Sequence, residues 1–93
     1  MARRLAALGN PSRLLLLRVL VQAGPAGLSV GQIQEATGMA SSTQFHHLSM
    51  LVDTGLVQRE RAGKEVLNRV LFAEVRAIAE YLMKDCCKGV GMG

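Results

Sequence analysis

At Gly55 the spacing of apolar residues changes from helical to alternating, and this limits what the 93-residue chain can fold into. Before it, Phe45, Leu48, Leu51 and Val52 recur along one side of a helix that starts at Ala40 or Ser41 and stops at Gly55. After it, residues 56–61 and 65–71 alternate as strands do, around an Ala62-Gly63-Lys64 turn in which Gly63 can take positive φ. The spacing therefore predicts a helix running straight into a β-hairpin.

The preceding chain reads as helices. Residues 2–8 place Leu5 and Leu8 on one side. Asn10 can cap the next helix, with Pro11 at its first position. That helix, 11–22, carries Leu14, Leu15, Leu16, Leu17, Val19, Leu20 and Val21 over most of its circumference, which predicts a central buried helix with Arg13 and Arg18 reaching the surface. Residues 23–27 are a loop by composition. Ser29 with Gln32 makes a capping-box pattern for a third helix that turns Val30, Ile33 and Ala36 inward and ends at Gly38. About three residues separate it from the 41–55 helix, so the two read as a helix-turn-helix and the hairpin as its wing. A last helix over 73–87 lines up Val75, Ile78, Ala79 and Leu82. The expected fold is mainly α with a β-hairpin wing, in the order α-α-α-α-β-β-α, as one domain over 1–93 with a flexible glycine-rich tail from about residue 88.

Composition supports a small globular domain: 49% of residues are hydrophobic and 19% charged, and aromatics at 3% leave the core to aliphatic side chains. So small a core favours a second copy. The net charge of +4 favours a polyanionic partner. The longest apolar run, 14–17, cannot cross a membrane, and the run after the N-terminal arginines is broken at Gly9-Asn10-Pro11, so no signal peptide is read. The two cysteines are adjacent and form no disulfide framework, and a cytoplasmic location is expected. No Ser/His/Asp or Cys/His set is placed to converge and no phosphate-cradling glycine loop is present, which argues against an enzyme.

The 41–55 helix opens on Ser41, Ser42, Thr43, Gln44 and His46, short or planar hydrogen-bonding side chains without charge. Such residues at a helix N-terminus suit a DNA major groove: hydroxyls for phosphates or base edges, Gln44 for adenine, His46 for guanine or phosphate. The plainer alternative is an amphipathic helix with a solvated face. His47 lies near the apolar stripe and is either a packing residue or a DNA contact, and Phe45 is expected to turn inward, with contact to a thymine methyl as the alternative. Arg59, Arg61 and Lys64 on the hairpin would meet phosphates or the minor groove, unless the hairpin is merely a charged, solvated one.

Cys86 and Cys87 are tied by one trans peptide, which holds their α-carbons about 3.8 Å apart, short of the roughly 4.4–6.8 Å of ordinary disulfides. Two free thiols are expected, a pair suited to soft ions. On a regular helix neighbouring side chains diverge by about 100°, but near Gly89 the helix end can loosen so that both sulfurs meet one atom. Packing residues and a redox-sensing pair are the alternatives. Zinc fits poorly, since the last helix offers Glu74, Glu80 and Asp85 but no histidine.

Over nearly the whole chain these elements resemble the ArsR/SmtB winged-helix repressors, in LAALGNPSRLLLLRVL (5–20), GLSVGQIQEATGMASSTQFHHLSMLVDTGLV (27–57) and QRERAGKEVLNRV (58–70). The pair His47-Leu48, Leu51 and Gly55-Leu56-Val57 look like that family's recognition-helix signature. YLMKDCCKG (81–89) is similar to the tail of its arsenic-sensing subset. The resemblance implies a repressor that binds double-stranded operator DNA as a homodimer, with no membrane partner. Its first and last helices would pair across the dimer axis through Leu5, Leu8, Val75, Ile78, Ala79 and Leu82, which could otherwise pack within one chain. It further implies that Cys86 and Cys87 take an inducer, As(III), with Sb(III) or methylarsenite as alternatives, and that no cofactor is permanently bound. Ligand binding at the end of the last helix would then make the DNA-competent dimer less populated. Two departures stand out: relatives often carry a small hydroxyl residue where Phe45 stands, and the subset often has a third cysteine that 88–93 lacks. A third thiol would come from a longer tail, a small molecule or another chain, or a methylated arsenical would need only two. A thiol-redox repressor and a winged-helix protein-interaction module are the other functions open to this fold.

Overall fold

The computed structural model describes residues 1–87, so the tail expected from about residue 88 lies outside the described residues. The order is α1 (Ala2–Leu8), α2 (Pro11–Ala23), β1 (Leu28–Ser29), α3 (Val30–Thr37), α4 (Ser41–Asp53), β2 (Val57–Ala62), β3 (Glu65–Val70) and α5 (Phe72–Met83). This is the expected winged helix-turn-helix, with one added strand. No helix among the described residues is long and apolar enough to cross a membrane.

The predicted caps set the helix starts. Asn10 Oδ1 accepts from the amides of Ser12 at 2.9 Å and Arg13 at 3.1 Å, which fixes α2. Ser29 Oγ accepts from Gln32 N, and Gln32 Oε1 accepts in return from Ser29 N, a complete capping box for α3. Gly38 closes α3 in the left-handed region, where a residue without a Cβ is unstrained.

The added strand, β1, makes the wing a three-stranded sheet in the order β1-β3-β2. Leu28 pairs with Asn68 and Ser29 with Leu67, while β2 and β3 pair from Val57–Val70 at one end to Ala62–Glu65 at the tip. Gly27 makes this possible: a Cβ there would stand 2.6 Å from the Asn68 carbonyl oxygen, and its φ of +74° is left-handed. The loop read over 23–27 thus leads directly into the sheet.

The core gathers Leu16, Leu17 and Leu20 of α2 with Ile33, Leu48, Leu51, Leu56, Val57 and Val70. Four expectations are corrected by it. α2 is not buried all round: Leu14 and Leu15 are 45% and 47% exposed, because the core covers only the 16-17-20 face. Arg13 does not reach freely into solvent but is half-buried over α1 and α4. Of the three residues expected inward on α3, only Ile33 is buried, and Val30 and Ala36 are exposed. Ile78 packs into its own chain's core at 6% exposure and so is not free to face a second copy. Leu5, Leu8 and Val75 lie partly buried against the same core, whereas Ala79 and Leu82 stay exposed on α5 beside Tyr81 and Met83.

Candidate nucleic-acid interface and thiol pair

α4 begins after Ala40, whose side chain cannot cap it. Its first-turn amides therefore point outward without a side-chain acceptor, beside the exposed Ser41, Ser42 and Thr43. With the positive end of the helix dipole, this makes an anion-receptive edge. His46 is exposed one turn further on.

His47 is half-buried. Arg13 Nη1 lies 3.4 Å from its Nδ1, while Arg13 Nε donates to the Ala7 carbonyl at 2.6 Å and Nη1 reaches Met50 Sδ at 3.2 Å. A guanidinium only donates, so Nδ1 is the acceptor and the ring proton sits on Nε2. Burial first, then the charge of Arg13, then His46 hold the His47 pKa below its ordinary value. The packing reading of His47 is the one this geometry favours.

Gln44 corrects the sequence reading. It is fully buried, with Nε2 donating to the Val30 carbonyl at 3.2 Å, so it cannot reach a base edge. Phe45 is the reverse: expected inward, it is 64% exposed. The Arg59 guanidinium carbon lies 4.8 Å from the Phe45 ring centroid, a cation–π stack, and Arg59 Nη2 donates to Ser49 Oγ at 3.0 Å. Arg59 thereby ties β2 to α4 and is a restrained cation rather than a free one. Arg61 and Lys64 are exposed near the hairpin tip, with no ion pair among the described residues, whereas Arg69 is held by Glu60 at 2.8 Å. Gln44, Phe45 and Arg13 are the three residues of this region that sequence reasoning misplaced.

α5 ends at Met83, earlier than the expected 87, and the backbone then leaves the helical path. Lys84 is extended, and Asp85 and Cys87 adopt left-handed φ of 59° and 65°. That path swings both thiols to one side: Cys86 Sγ and Cys87 Sγ are 3.2 Å apart, and both residues are exposed. The hydrogen bond with Cys87, then desolvation, raises the Cys86 pKa, so Cys86 rests as a thiol at neutral pH. Among the described residues no group of three or more Cys, His, Asp or Glu side chains could hold a metal ion.

A capped helix-turn-helix, an exposed polar helix N-terminus and a basic hairpin define a winged helix-turn-helix transcriptional regulator. Comparison with known proteins agrees: residues 8–60 match a family model described as a helix-turn-helix domain. The chain is 33% identical over 86 residues to the HTH-type transcriptional regulator YgaV of Escherichia coli K12, covering 92% of this chain and 85% of the relative. An ArsR-like transcriptional regulator from Rhodococcus sp. RHA1 superposes with a TM-score of 0.76 at 30% identity, over 87% of this chain and 74% of that one. The homodimeric winged helix-turn-helix DNA-binding domain of Mb0332 from Mycobacterium bovis, a possible ArsR-family regulator, does so at 0.71 and 30% identity, over 92% and 80%. The chain belongs to the ArsR/SmtB family of transcriptional regulators.

Proposed function

We propose that this protein is a cytoplasmic repressor that holds operator DNA as a homodimer and releases it when trivalent arsenic or antimony bridges Cys86 and Cys87. The observation that carries the proposal is the pair of exposed sulfurs 3.2 Å apart at the end of α5. Two sulfurs bound to one atom through bonds of about 2.3 Å stand about 3.3 Å apart at a right angle and about 3.8 Å at a tetrahedral one. The observed spacing fits the narrower, pyramidal case. Arsenous acid would exchange two hydroxides for the two thiols, each departing hydroxide taking a thiol proton to leave as water, and would keep the third. Methylarsenite, with two hydroxides to lose, is saturated by this pair alone.

Ser41, Ser42, Thr43 and His46 would enter the major groove, with Phe45 against a thymine methyl. Arg61 and Lys64 would meet phosphates, and Arg59 would support them from its stack on Phe45. The second copy would cover the exposed α5 face at Ala79 and Leu82, extended by Tyr81 and Met83, with α1 alongside. By linkage, an inducer that releases DNA must bind the free dimer more tightly than the DNA-bound one.

The test is a gel shift with arsenite, antimonite, methylarsenite and hydrogen peroxide, on the natural chain and on Cys86→Ser/Cys87→Ser. Release of the natural chain alone by the arsenicals is the expected result. Release of both by arsenite removes the cysteines from the mechanism, and release by peroxide but not arsenite makes the pair a redox sensor.

A further inference from the structure

α4 and the wing enclose a cleft of about 540 Å³, within the roughly 300–1,000 Å³ of small-molecule sites. Its apolar lining comes from Val30, Phe45 and Leu48, with Val66 of β3. Gln44 and Asn68 also line it, and both are fully buried. Their amide nitrogens are used, Gln44 Nε2 on the Val30 carbonyl at 3.2 Å and Asn68 Nδ2 on the Leu28 carbonyl at 3.3 Å. Their carbonyl oxygens, Gln44 Oε1 and Asn68 Oδ1, have no partner. Buried acceptors without donors are rare and costly, and two lining one cleft call for a donor that the protein does not supply. Arg59 also lines the cleft, and no carboxylate among the described residues pairs with it.

We infer that this cleft is a binding site for a small hydroxyaryl carboxylate. The ring lies between Val30, Leu48 and Val66. The hydroxyl donates its one proton to an orphan carbonyl, that of Gln44 or Asn68. The carboxylate meets the Arg59 guanidinium, whose second amino group remains available beside its bond to Ser49. Ser41, Ser42 and Phe45 border the same cleft, so a ligand seated there competes with DNA for the face of α4. The site acts without the cysteines.

The probe is 4-hydroxybenzoate, titrated into Cys86→Ser/Cys87→Ser while the methyl NMR signals of the chain are followed. This background makes the result independent of any metalloid chemistry. Saturable shifts at Val30, Leu48 and Val66 are expected, weakened about tenfold or more for benzoate, which lacks the donor. Arg59→Gln weakens 4-hydroxybenzoate but leaves phenol unchanged. Val66→Trp fills the cleft and abolishes the shifts, and Val30→Trp does the same should the first variant not fold. No saturable shift at millimolar probe, equal affinity for benzoate, or binding that survives the filled cleft each overturns the assignment.

Discussion

Arg4 Nη1 stands 2.7 Å from Glu74 Oε2, and the same guanidinium donates through Nε to the Thr54 carbonyl at 3.0 Å. One side chain of α1 therefore clamps the start of α5 to the end of α4. Gly55, at φ +77°, leaves room for it, since a Cβ there would stand 3.1 Å from Arg4 Nη2.

Arg4→Ala is expected to destabilise the fold by about 1 kcal/mol, from a partly exposed ion pair and one half-buried hydrogen bond. For a domain of this size that lowers Tm by roughly 4–8 °C. Glu74→Gln loses only the ion pair, so its smaller effect should vanish at high salt. Thermal melts at low and high salt decide it, and an unchanged Tm in Arg4→Ala removes the clamp.

His47 gives the stability a pH dependence. Its pKa in the fold is depressed, chiefly by burial and then by Arg13, below the value of about 6.5 that it has when unfolded. As pH falls, the unfolded chain takes up the proton first. The His47 contribution is thus fully present above about pH 6.5 and is lost as pH drops from there through the folded pKa. Melts from neutral to mildly acidic pH should show this decline, and His47→Gln should flatten it. Equal slopes in the two proteins would assign the dependence to other groups.

Gln44→Ala should cost about 1–3 kcal/mol of stability by removing a buried side chain and leaving the Val30 carbonyl unpaired. Its ranking of operator base pairs should not change, since a fully buried residue reads no base. Chemical denaturation measures the first, and binding to a panel of single-base operator variants the second. A change of preference at an adenine position would return Gln44 to the groove.

Lys64→Ala and Arg61→Ala should each weaken DNA binding by a similar factor on every sequence. Each should also reduce the slope of log affinity against log salt by about 1. Affinities across a salt series test this, and a loss confined to one base pair would contradict it.

Cys87→Ala should lower the Cys86 pKa toward its ordinary value, because the hydrogen bond that raises it first is gone. Iodoacetamide should then alkylate Cys86 faster at mildly alkaline pH than it does in the natural chain. Identical pH–rate curves would show that the two sulfurs do not interact in solution.

The caps at Asn10, Ser29 with Gln32, and Gly38 were legible because each is a contact within a few residues. Gln44 was misplaced because residue type was weighed above spacing: it is four and seven residues before the buried Leu48 and Leu51. Phe45 was misplaced because its spacing fits two faces, three and seven before Leu48 and Val52 but also three after Ser42 and four before Ser49. Asn68 shares strand parity with the buried Val70, a signal that it faces inward. β1 was not legible, since two residues carry no period and its pairing comes from forty residues away. The exposed Leu14 and Leu15 were equally hidden, because an all-round apolar sequence does not say which side the core takes.

Arg59 fastens the wing to α4, and β1 fastens the same sheet to the start of α3. Wing, α3 and α4 thus travel as a single block. In the proposed homodimer, two such blocks would behave like callipers: the gap between the jaws changes while each jaw keeps its shape. An inducer working from the ends of α5 could then alter only the span between half-sites, and one isolated half-site would be gripped equally with the inducer present or absent.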